Sequence, residues 1–247
     1  MVDARWTIFG SILVCLMACT LIARSAWCAA PLMFPDTAAT LVLDPGHGGN
    51  DQGARGPSGH TEKSVCLELA QRLALRLESR YIVRLTRSED YDVELDQRTA
   101  IANQAKADLF ISLHTGAGFF HTCRGMAVYY YQPSTPAAKI PDEGRVATEP
   151  LPWQQRQNRH AAASKALAME LQQALESMPQ RPSCQVMAAP LAVLQGADMP
   201  SVLIEVGHIT HPSTEKSLTQ PGNLDALATA IDNGIQRFLT NVRSKNQ

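Results

Sequence analysis

Short apolar runs alternate with longer segments of helical periodicity over most of the chain. The apolar runs predict buried strands, which lie at 40–43, 81–85, 109–113, 125–131, 191–194 and 201–206. Helical spacing of apolar residues predicts amphipathic helices between them, at 62–80, 95–105, 159–178 and from 224 onward. Thr61 and Asn223 are the expected N-caps of the first and last helix. Strands separated by such helices need crossover connections, so we expect a single three-layer α/β domain, with a mostly parallel twisted sheet of about six strands flanked by helices.

The N-terminus has a different composition from the rest of the chain. Residues 6–23 include no charged residue and are mostly apolar, and Arg5 precedes them. With the small residues that follow, this order predicts a secretory signal peptide over residues 1–30 and a folded domain over 31–247. A retained N-terminal membrane anchor and lipoprotein processing at Cys19 are the alternatives. All three predict an exported protein of the periplasm or cell envelope, and membrane attachment is expected only if the N-terminal segment is retained.

Charge and cysteine content exclude some classes of protein. The chain has 22 Lys and Arg against 23 Asp and Glu, a net charge of −1, with no basic run. Proteins that bind nucleic acids usually carry a basic excess or stripe, so we expect no nucleic-acid partner. Only Cys66, Cys123 and Cys184 follow the N-terminal segment. We expect Cys66 to be buried in a helix, and the sequence leaves open whether Cys123 and Cys184 pair.

Residues that can bind a metal or transfer a proton follow three of the predicted strands. His47 lies in a Gly-rich loop after the first strand, His114 ends the third, and Glu205 lies near the end of the sixth. Glu62 begins the helix after the first loop, on its inward stripe. Ligands of parallel sheets bind beyond the carboxyl ends of the strands. Taken singly, a histidine in a Gly-rich loop is more often structural. The helix dipole stabilises a carboxylate at a helix N-terminus, which alone is enough to explain Glu62.

Taken together, the four residues predict a catalytic metal site. Burying an unpaired carboxylate costs several kcal/mol, so Glu205 needs a partner, either the metal or a metal-bound water. Two histidines and one glutamate with an open fourth position are the ligand set of catalytic zinc hydrolases. A further carboxylate that is not a ligand is the usual general base. This arrangement accounts for all four residues at once.

Several sequence blocks occur in a fixed order between about Leu41 and about Asn241. They read DPGHGG, TEK, TR, R-x-x-x-AN, ADLFISLH and IEVG. In order and spacing they resemble the zinc-dependent N-acetylmuramoyl-L-alanine amidases of the Amidase_3 type, which remodel the bacterial cell wall. The resemblance implies an amidase catalytic domain that covers nearly all of the chain after the N-terminal segment.

The resemblance also implies roles for individual residues. It places one Zn²⁺ per chain on His47, Glu62 and His114, and the catalytic glutamate on Glu205. A common arginine of the family falls on Arg181, near the substrate or the zinc ligands. The implied reaction is hydrolysis of the amide between N-acetylmuramic acid and L-alanine of the peptidoglycan stem peptide, in cell-wall remodelling or cell separation. Peptidoglycan is then the expected partner, and an activator protein of the envelope is a further candidate.

The sequence departs from the family pattern at three places. Thr115-Gly116 follows His114 where a small residue and then Asn or Asp are usual. Residues 207–211 read GHITH where the family reads Gly-Phe-x-x-Asn, and Cys66 replaces a residue that is often Asn. No predicted ligand is lost, so the departures bear on substrate contacts and rate. His208 and His211 either line the cleft or lie in surface loops; His60 and His121 carry the same two readings.

Residues 132–158 form a polar, Pro-rich segment that we expect to be a long loop. It occupies the place where some family members carry an inhibitory insertion over the site. One hypothesis makes Glu143 or Glu149 a temporary fourth zinc ligand, and the other makes the segment a solvated loop.

Three alternatives to an amidase remain at the level of sequence. The first is a protein of this fold that binds peptidoglycan without cutting it. The second is a zinc peptidase that acts within the stem peptide, and the third is a structural envelope protein without stoichiometric zinc. Retention of all four site residues argues against the first, because a degraded site is expected to lose at least one of them.

Overall fold

A computed structural model describes residues 38–133, 153–179 and 183–245. Its six strands are β1 (Thr40–Pro45), β2 (Ile82–Leu85), β3 (Leu109–Gly116), β4 (Met126–Tyr131), β5 (Cys184–Ala189) and β6 (Ser201–His208). They form one sheet in the order β2-β1-β3-β6-β4-β5. The first four strands in this order, β2, β1, β3 and β6, run parallel. Strand β4 is antiparallel to β6, and β5 is parallel to β4. The predicted mostly parallel sheet is therefore confirmed.

Helices cover the sheet on both faces. They are α1 (Glu62–Leu77), α2 (Leu95–Gln104), α3 (Ala161–Glu176), α4 (Ala192–Gln195), α5 (Pro212–Leu218) and α6 (Pro221–Lys245), with 3₁₀ turns at Phe119–His121 and Trp153–His160. Helices α1 and α3 pack on α6 and on the central strands. Helices α2 and α4 pack on the opposite face, where Ala102 and Leu194 join a core with Val42, Phe110 and Leu203. This is the expected three-layer domain.

The central strands are buried almost along their full length because helices cover both of their faces. Strands β1, β3 and β6 lie side by side, so their carboxyl ends meet at one edge of the sheet. Strands β2 and β3 lie on opposite sides of β1. The connections from β1 therefore lead to opposite sides of it, and such a switch point opens a crevice at the carboxyl edge, where ligands of α/β sheets bind.

Some local features differ from the sequence prediction. Residues 191–194, predicted as a strand, lie mainly in α4, because so short an apolar run does not separate helix from strand. The fifth strand is instead β5, an edge strand whose apolar run at 186–189 is as short as the one at 191–194, so the pattern did not separate the two. Helix α5 was not predicted. Asn223 lies inside the first turn of α6 rather than before it. Thr61 is the N-cap residue of α1, as predicted, but its side chain makes no capping hydrogen bond.

The structure also bears on the cysteines and on helices that could span a membrane. Cys66 and Cys184 are buried, Cys123 is exposed, and all three are free. Within the described ranges, no helix is long and apolar enough to cross a membrane. Three sets of residues with predicted roles lie outside the described residues: the segment 1–30, most of the loop 132–158 with Glu143 and Glu149, and Arg181.

Candidate metal centre

Three of the four predicted site residues form a cluster at the crevice beside β1. His47, Glu62 and His114 each offer a ligand atom, and these atoms lie within 4.8 Å of one another. His47 Nε2 is 3.1 Å from Glu62 Oε2, and His114 Nδ1 is 3.0 Å from Glu62 Oε1. The two imidazole rings meet edge to face, with centroids 5.0 Å apart and planes at 75°. The Glu62 carboxylate thus joins two imidazoles delivered by neighbouring strands.

The loop that carries His47 has an unusual backbone. His47 has a φ of 60°, in the left-handed region that is uncommon for residues other than glycine. Gly46, just before it, lies against the His114 ring, and a Cβ at this position would come within 2.4 Å of His114 Cε1. Any side chain at position 46 would therefore push the two histidines apart. The close approach of His47 and His114 depends on this glycine.

Two buried arginines hold the carbonyl groups of that loop. Arg87 donates from Nε to Pro45 O (2.9 Å) and from one terminal nitrogen to Gly46 O (2.8 Å). Arg98 donates to Pro45 O (2.9 Å) and to His47 O (3.0 Å). A guanidinium carries five N–H donors in a rigid fork, which suits a row of carbonyl oxygens. Arg87 and Arg98 therefore fix the strained turn that aims His47.

Asp44, at the end of β1, supplies the negative charge for this buried group. It is fully buried and accepts from Arg98 (2.8 Å), Thr86 Oγ1 (2.6 Å) and Ser112 Oγ (2.7 Å). Each oxygen of its carboxylate thus has a partner, which a buried charge requires. Asp44, Arg87 and Arg98 were not predicted as parts of the site. The DPGHGG, TR and R-x-x-x-AN blocks that contain them were the signal.

Glu62 is ionised and held from several sides. Its side chain is buried and accepts from the backbone N–H of Ala54 (2.9 Å) and of Thr115 (2.8 Å). Burial alone would raise the pKa of Glu62, but the hydrogen bonds with His114 and His47 outweigh it and hold that pKa well below its usual range. The carboxylate is therefore a fixed anion at the N-terminus of α1, where the helix dipole also favours negative charge.

Asp51 contacts the other nitrogen of the His47 ring. Its Oδ2 is 2.7 Å from His47 Nδ1, and its Oδ1 accepts from Gly53 N (3.1 Å). Two backbone hydrogen bonds between Gly48 and Asp51 fix the position of the aspartate. A carboxylate on Nδ1 favours the tautomer with its proton on that nitrogen, which would free the Nε2 lone pair for a metal. Sequence reasoning missed Asp51, which lies only four residues from His47.

Glu205 lies beside the cluster but is not part of it. Its residue pairs in register with His114 on the neighbouring strand, and the side chain is partly exposed. The Tyr129 hydroxyl donates to Glu205 Oε2 at 3.3 Å. Burial and the neighbouring Glu205 charge raise the pKa of Tyr129, so its hydroxyl stays protonated and can donate. This position suits a group that acts on a water or substrate at the cluster.

The remaining histidines divide between structural and surface positions. His211 is buried at the start of α5, where Nε2 accepts from Arg124 Nε at 2.9 Å, so it lies neither in the cleft nor on the surface. His121 is exposed, with Nδ1 2.5 Å from Thr210 O. His60 is half exposed and contacts the carboxylate of Glu215. His208 is the last residue of β6, three positions after Glu205, and is partly exposed.

Glu215 of α5 holds the Gly-rich loop from the far side. It is buried and accepts from the backbone N–H of Ser58 (2.8 Å) and of His60 (3.2 Å). Burial would raise the pKa of Glu215, but these hydrogen bonds and the one with the His60 ring lower it below its ordinary value. This contact joins residues more than 150 positions apart, so no local sequence pattern indicated it.

A separate cavity of about 480 Å³ lies between the end of β6, α5 and α6. Its lining includes Val206, Thr214 and Leu227 but none of the four predicted site residues. The chemistry-bearing side chains therefore lie in the open crevice rather than in this cavity.

The donor set fits a zinc ion. Two imidazoles and one ionised carboxylate, converging from two strands and a helix, are a catalytic zinc ligand set that leaves one position open. Asp51 on His47, and backbone N–H groups on Glu62, are the kind of outer contacts that orient metal ligands.

Comparisons of sequence agree with the site. The family model Amidase_3, N-acetylmuramoyl-L-alanine amidase, matches residues 41–237. The chain is 31% identical over 217 residues to the amidase AmiC of Neisseria meningitidis, covering 81% of this chain and 52% of that protein. It is 33% identical over 216 residues to AmiA of Escherichia coli, covering 79% and 74%. It is 33% identical over 210 residues to LytC of Bacillus subtilis, covering 83% and 36%. The chain thus spans about half of AmiC and about a third of LytC.

Comparisons of structure give the same answer for the fold. The catalytic domain of the amidase CwlV from Bacillus (Paenibacillus) polymyxa matches with a TM-score of 0.68 and 26% identity, over 82% of this chain and 98% of that one. The amidase AmiC2 of Nostoc punctiforme matches with a TM-score of 0.67 and 29% identity, over 82% and 97%. The CwlD amidase from Clostridioides difficile, solved in complex with the GerS lipoprotein, matches with a TM-score of 0.64 and 25% identity, over 82% and 98%.

Proposed function

Because the chain belongs to the N-acetylmuramoyl-L-alanine amidase family, we propose that it hydrolyses the amide bond between N-acetylmuramic acid and L-alanine of the peptidoglycan stem peptide. The observation that carries this proposal is the convergence of His47, Glu62 and His114 at the crevice, with Glu205 on the next strand. We place the reaction in cell-wall remodelling or cell separation, with one zinc ion per chain.

The metal ligands in this proposal are the two imidazoles of His47 and His114 and one oxygen of Glu62. A bound zinc ion supplies Lewis acidity to the amide carbonyl and to the attacking water. Asp51 keeps the proton of His47 on Nδ1, so that Nε2 faces the cluster with its lone pair. Arg87 and Arg98 keep the His47 turn in place before substrate arrives.

Glu205 is the proposed general base and acid. It takes a proton from the water that attacks the carbonyl carbon, and it returns that proton to the nitrogen of L-alanine as the carbon–nitrogen bond breaks. The Tyr129 hydroxyl occupies Oε2 of Glu205, which leaves Oε1 for the water. A carboxylate that is close to the cluster but outside it has the placement this role needs.

The proposal also covers export of the protein and its partners. Residues 1–30 direct the chain out of the cytoplasm, as a cleaved signal peptide or as a retained anchor, and 31–247 form the amidase domain. Peptidoglycan is the substrate. An activator protein of the envelope is a further proposed partner, supported by the complex of the related CwlD amidase with a lipoprotein.

Digestion of murein sacculi tests the proposal. Purified protein with zinc is expected to release stem peptides with a free L-alanine amino group and to leave the glycan strands intact, as read by mass spectrometry. A zinc peptidase would leave L-alanine on the sugar. Binding to sacculi without release, at one zinc per chain, would favour a non-catalytic binding protein instead. A protein that holds no stoichiometric zinc would favour a structural role.

A further inference from the structure

A bulge at the end of β6 turns His208 toward the metal face of the sheet. His114 pairs with Glu205, and the next aligned pair is Gly116 with His208. Two steps along β3 therefore match three steps along β6, and Gly207 within the extra step has a φ of 136°. Such a bulge resets the alternation of side chains. His208 thus shares the face of Glu205 and His114 instead of pointing away from it.

The burial of the two strands defines one opening. Along β3 only His114 is partly exposed, and along β6 only Glu205 and His208 are; all other residues of these strands are buried. The three partly exposed side chains lie on the same face of adjacent strands. His208 therefore lines the same crevice as the candidate ligand and the proposed base, three residues further along β6.

Gly116 provides the space that the His208 ring occupies. A Cβ at position 116 would lie 2.9 Å from His208 Cδ2, 2.9 Å from Nε2 and 3.1 Å from Cε1. The imidazole thus lies against the backbone of Gly116, in the space that a Cβ would need. Any side chain at position 116 would displace the ring, so the two positions act as a pair.

One nitrogen of the His208 ring is already engaged. Nδ1 lies 3.3 Å from Gly125 O. A carbonyl oxygen only accepts, so Nδ1 carries the proton, and Nε2 of the neutral ring is an acceptor. Within the described part of the chain, the contact with Gly125 is the one hydrogen bond that the His208 ring makes. Nε2 therefore presents an unused acceptor to the crevice.

We propose that His208 contacts the substrate, by accepting a hydrogen bond at Nε2 from an N–H or O–H donor beside the scissile amide. The inference rests on the proposed amidase function and names a further residue of its substrate site. The donor belongs either to the muramoyl-L-alanine unit or to the stem peptide beyond L-alanine. Both supply amide N–H groups, and substrates of two lengths distinguish them.

Kinetics on muramoyl-L-alanine and on a muramoyl tripeptide test the proposal. H208F keeps an aromatic ring over Gly116 but removes the acceptor, and we expect kcat/KM to fall about fivefold, the usual effect of one lost hydrogen bond. H208Q offers an amide oxygen and is expected to recover much of that loss. A loss on both substrates places the donor in the muramoyl-L-alanine unit, and a loss on the tripeptide alone places it further along the peptide.

Matched variants separate a substrate contact from a structural role. His160, which precedes α3 and contacts Asp198, supplies the control: H160Q is expected to leave kcat/KM unchanged. G116A displaces the His208 ring, so we expect the same loss as in H208F and no further loss in the double variant, because both act through one contact. Zinc content and Tm are expected to stay at wild-type values in H208F.

Two results would overturn the inference about His208 without touching the amidase. One is an H208F variant as active as wild type on both substrates. The other is a loss that comes only with lower Tm or lower zinc content, which marks a structural residue. If the wild-type protein itself releases no stem peptide from sacculi, the proposed function fails instead.

Discussion

The two sides of the crevice differ in how firmly their side chains are held. On the β1 side, His47 is fixed through its ring by Asp51 and through its carbonyl by Arg98, which in turn pairs with Asp44, all at 2.7–3.0 Å. On the β6 side, Glu205 and His208 each make one hydrogen bond to other described residues, at 3.3 Å. The first side has the rigidity that metal binding needs, and the second leaves side chains free to meet water and substrate.

This contrast predicts two classes of variant. Changes on the β1 side are expected to lower zinc affinity and stability together, since the charges there are buried and interlocked. Changes on the β6 side are expected to lower turnover while zinc and stability stay the same.

Removing Arg98 is expected to have the largest effect on stability. Arg98→Ala leaves the Asp44 carboxylate buried without its charged partner and frees the carbonyl of His47, and breaking a buried pair typically costs about 3–5 kcal/mol. Urea unfolding measures the loss. Arg84→Ala removes an exposed arginine of β2 and serves as the control, with little change expected. Equal losses in both variants would refute the interlocked β1 side.

Asp51→Asn is expected to weaken zinc binding by about 10- to 100-fold, as is typical when an outer carboxylate partner of a ligating histidine is lost. Competition with a chelator measures the affinity without reference to activity. Asp90 offers a control on a neighbouring loop, because it accepts from Gly49 N and pairs with Lys63 but touches no predicted ligand. Asp90→Asn is expected to weaken zinc binding much less than Asp51→Asn; the reverse order would exclude Asp51 as the residue that orients His47.

Glu215 predicts a pH dependence of stability. Its pKa in the folded protein lies below the ordinary value of 4.5, so the folded state binds fewer protons than the unfolded state near that pH. The stabilisation is therefore present above about pH 4.5 and is lost as the pH falls through the folded pKa. Glu215→Gln is expected to be less stable at pH 7 and to lose less on acidification. Parallel stability curves of the two proteins between pH 7 and pH 3 would contradict the assignment.

Tyr129→Phe is expected to have the smallest effect. It removes the single hydrogen bond to Glu205 Oε2, and we expect turnover to fall about fivefold or less. Zinc content and Tm are expected to remain at wild-type values, as for any change confined to the β6 side. A loss of zinc in this variant would show that the two sides are coupled.

The sequence predicted the fold where apolar periodicity was strong. Strands β1, β3 and β6 are buried on both faces and read as continuous apolar runs, so they were found, and helix α1 was found from its stripe. Strand β5 lies at an edge of the sheet, and its short, partly exposed apolar run at 186–189 could not be distinguished from the run at 191–194. Helix α5 begins after His211, whose ring lies against its first turn, and this N-cap is not among the usual capping residues.

For the site, sequence and structure contributed different residues. The sequence placed His47, Glu62, His114 and Glu205 at strand and helix ends, and the structure brings the first three into one cluster. Their roles as ligands and base stay predictions. Arg87, Arg98 and Glu215 act through contacts across 41 to 157 positions of the chain, which no local pattern reveals. The orientation of His208 depends on a bulge that only the strand register shows.

The central claim is that three residues hold the metal and Glu205 acts beside it. Zinc content and amidase turnover of Glu205→Gln and His47→Ala, measured side by side, test it most directly. We expect Glu205→Gln to keep one zinc per chain and to lose turnover about 100- to 10,000-fold, the usual contribution of a general base. His47→Ala is expected to lose the zinc itself. Equal loss of zinc in both variants would make Glu205 a ligand and contradict the account.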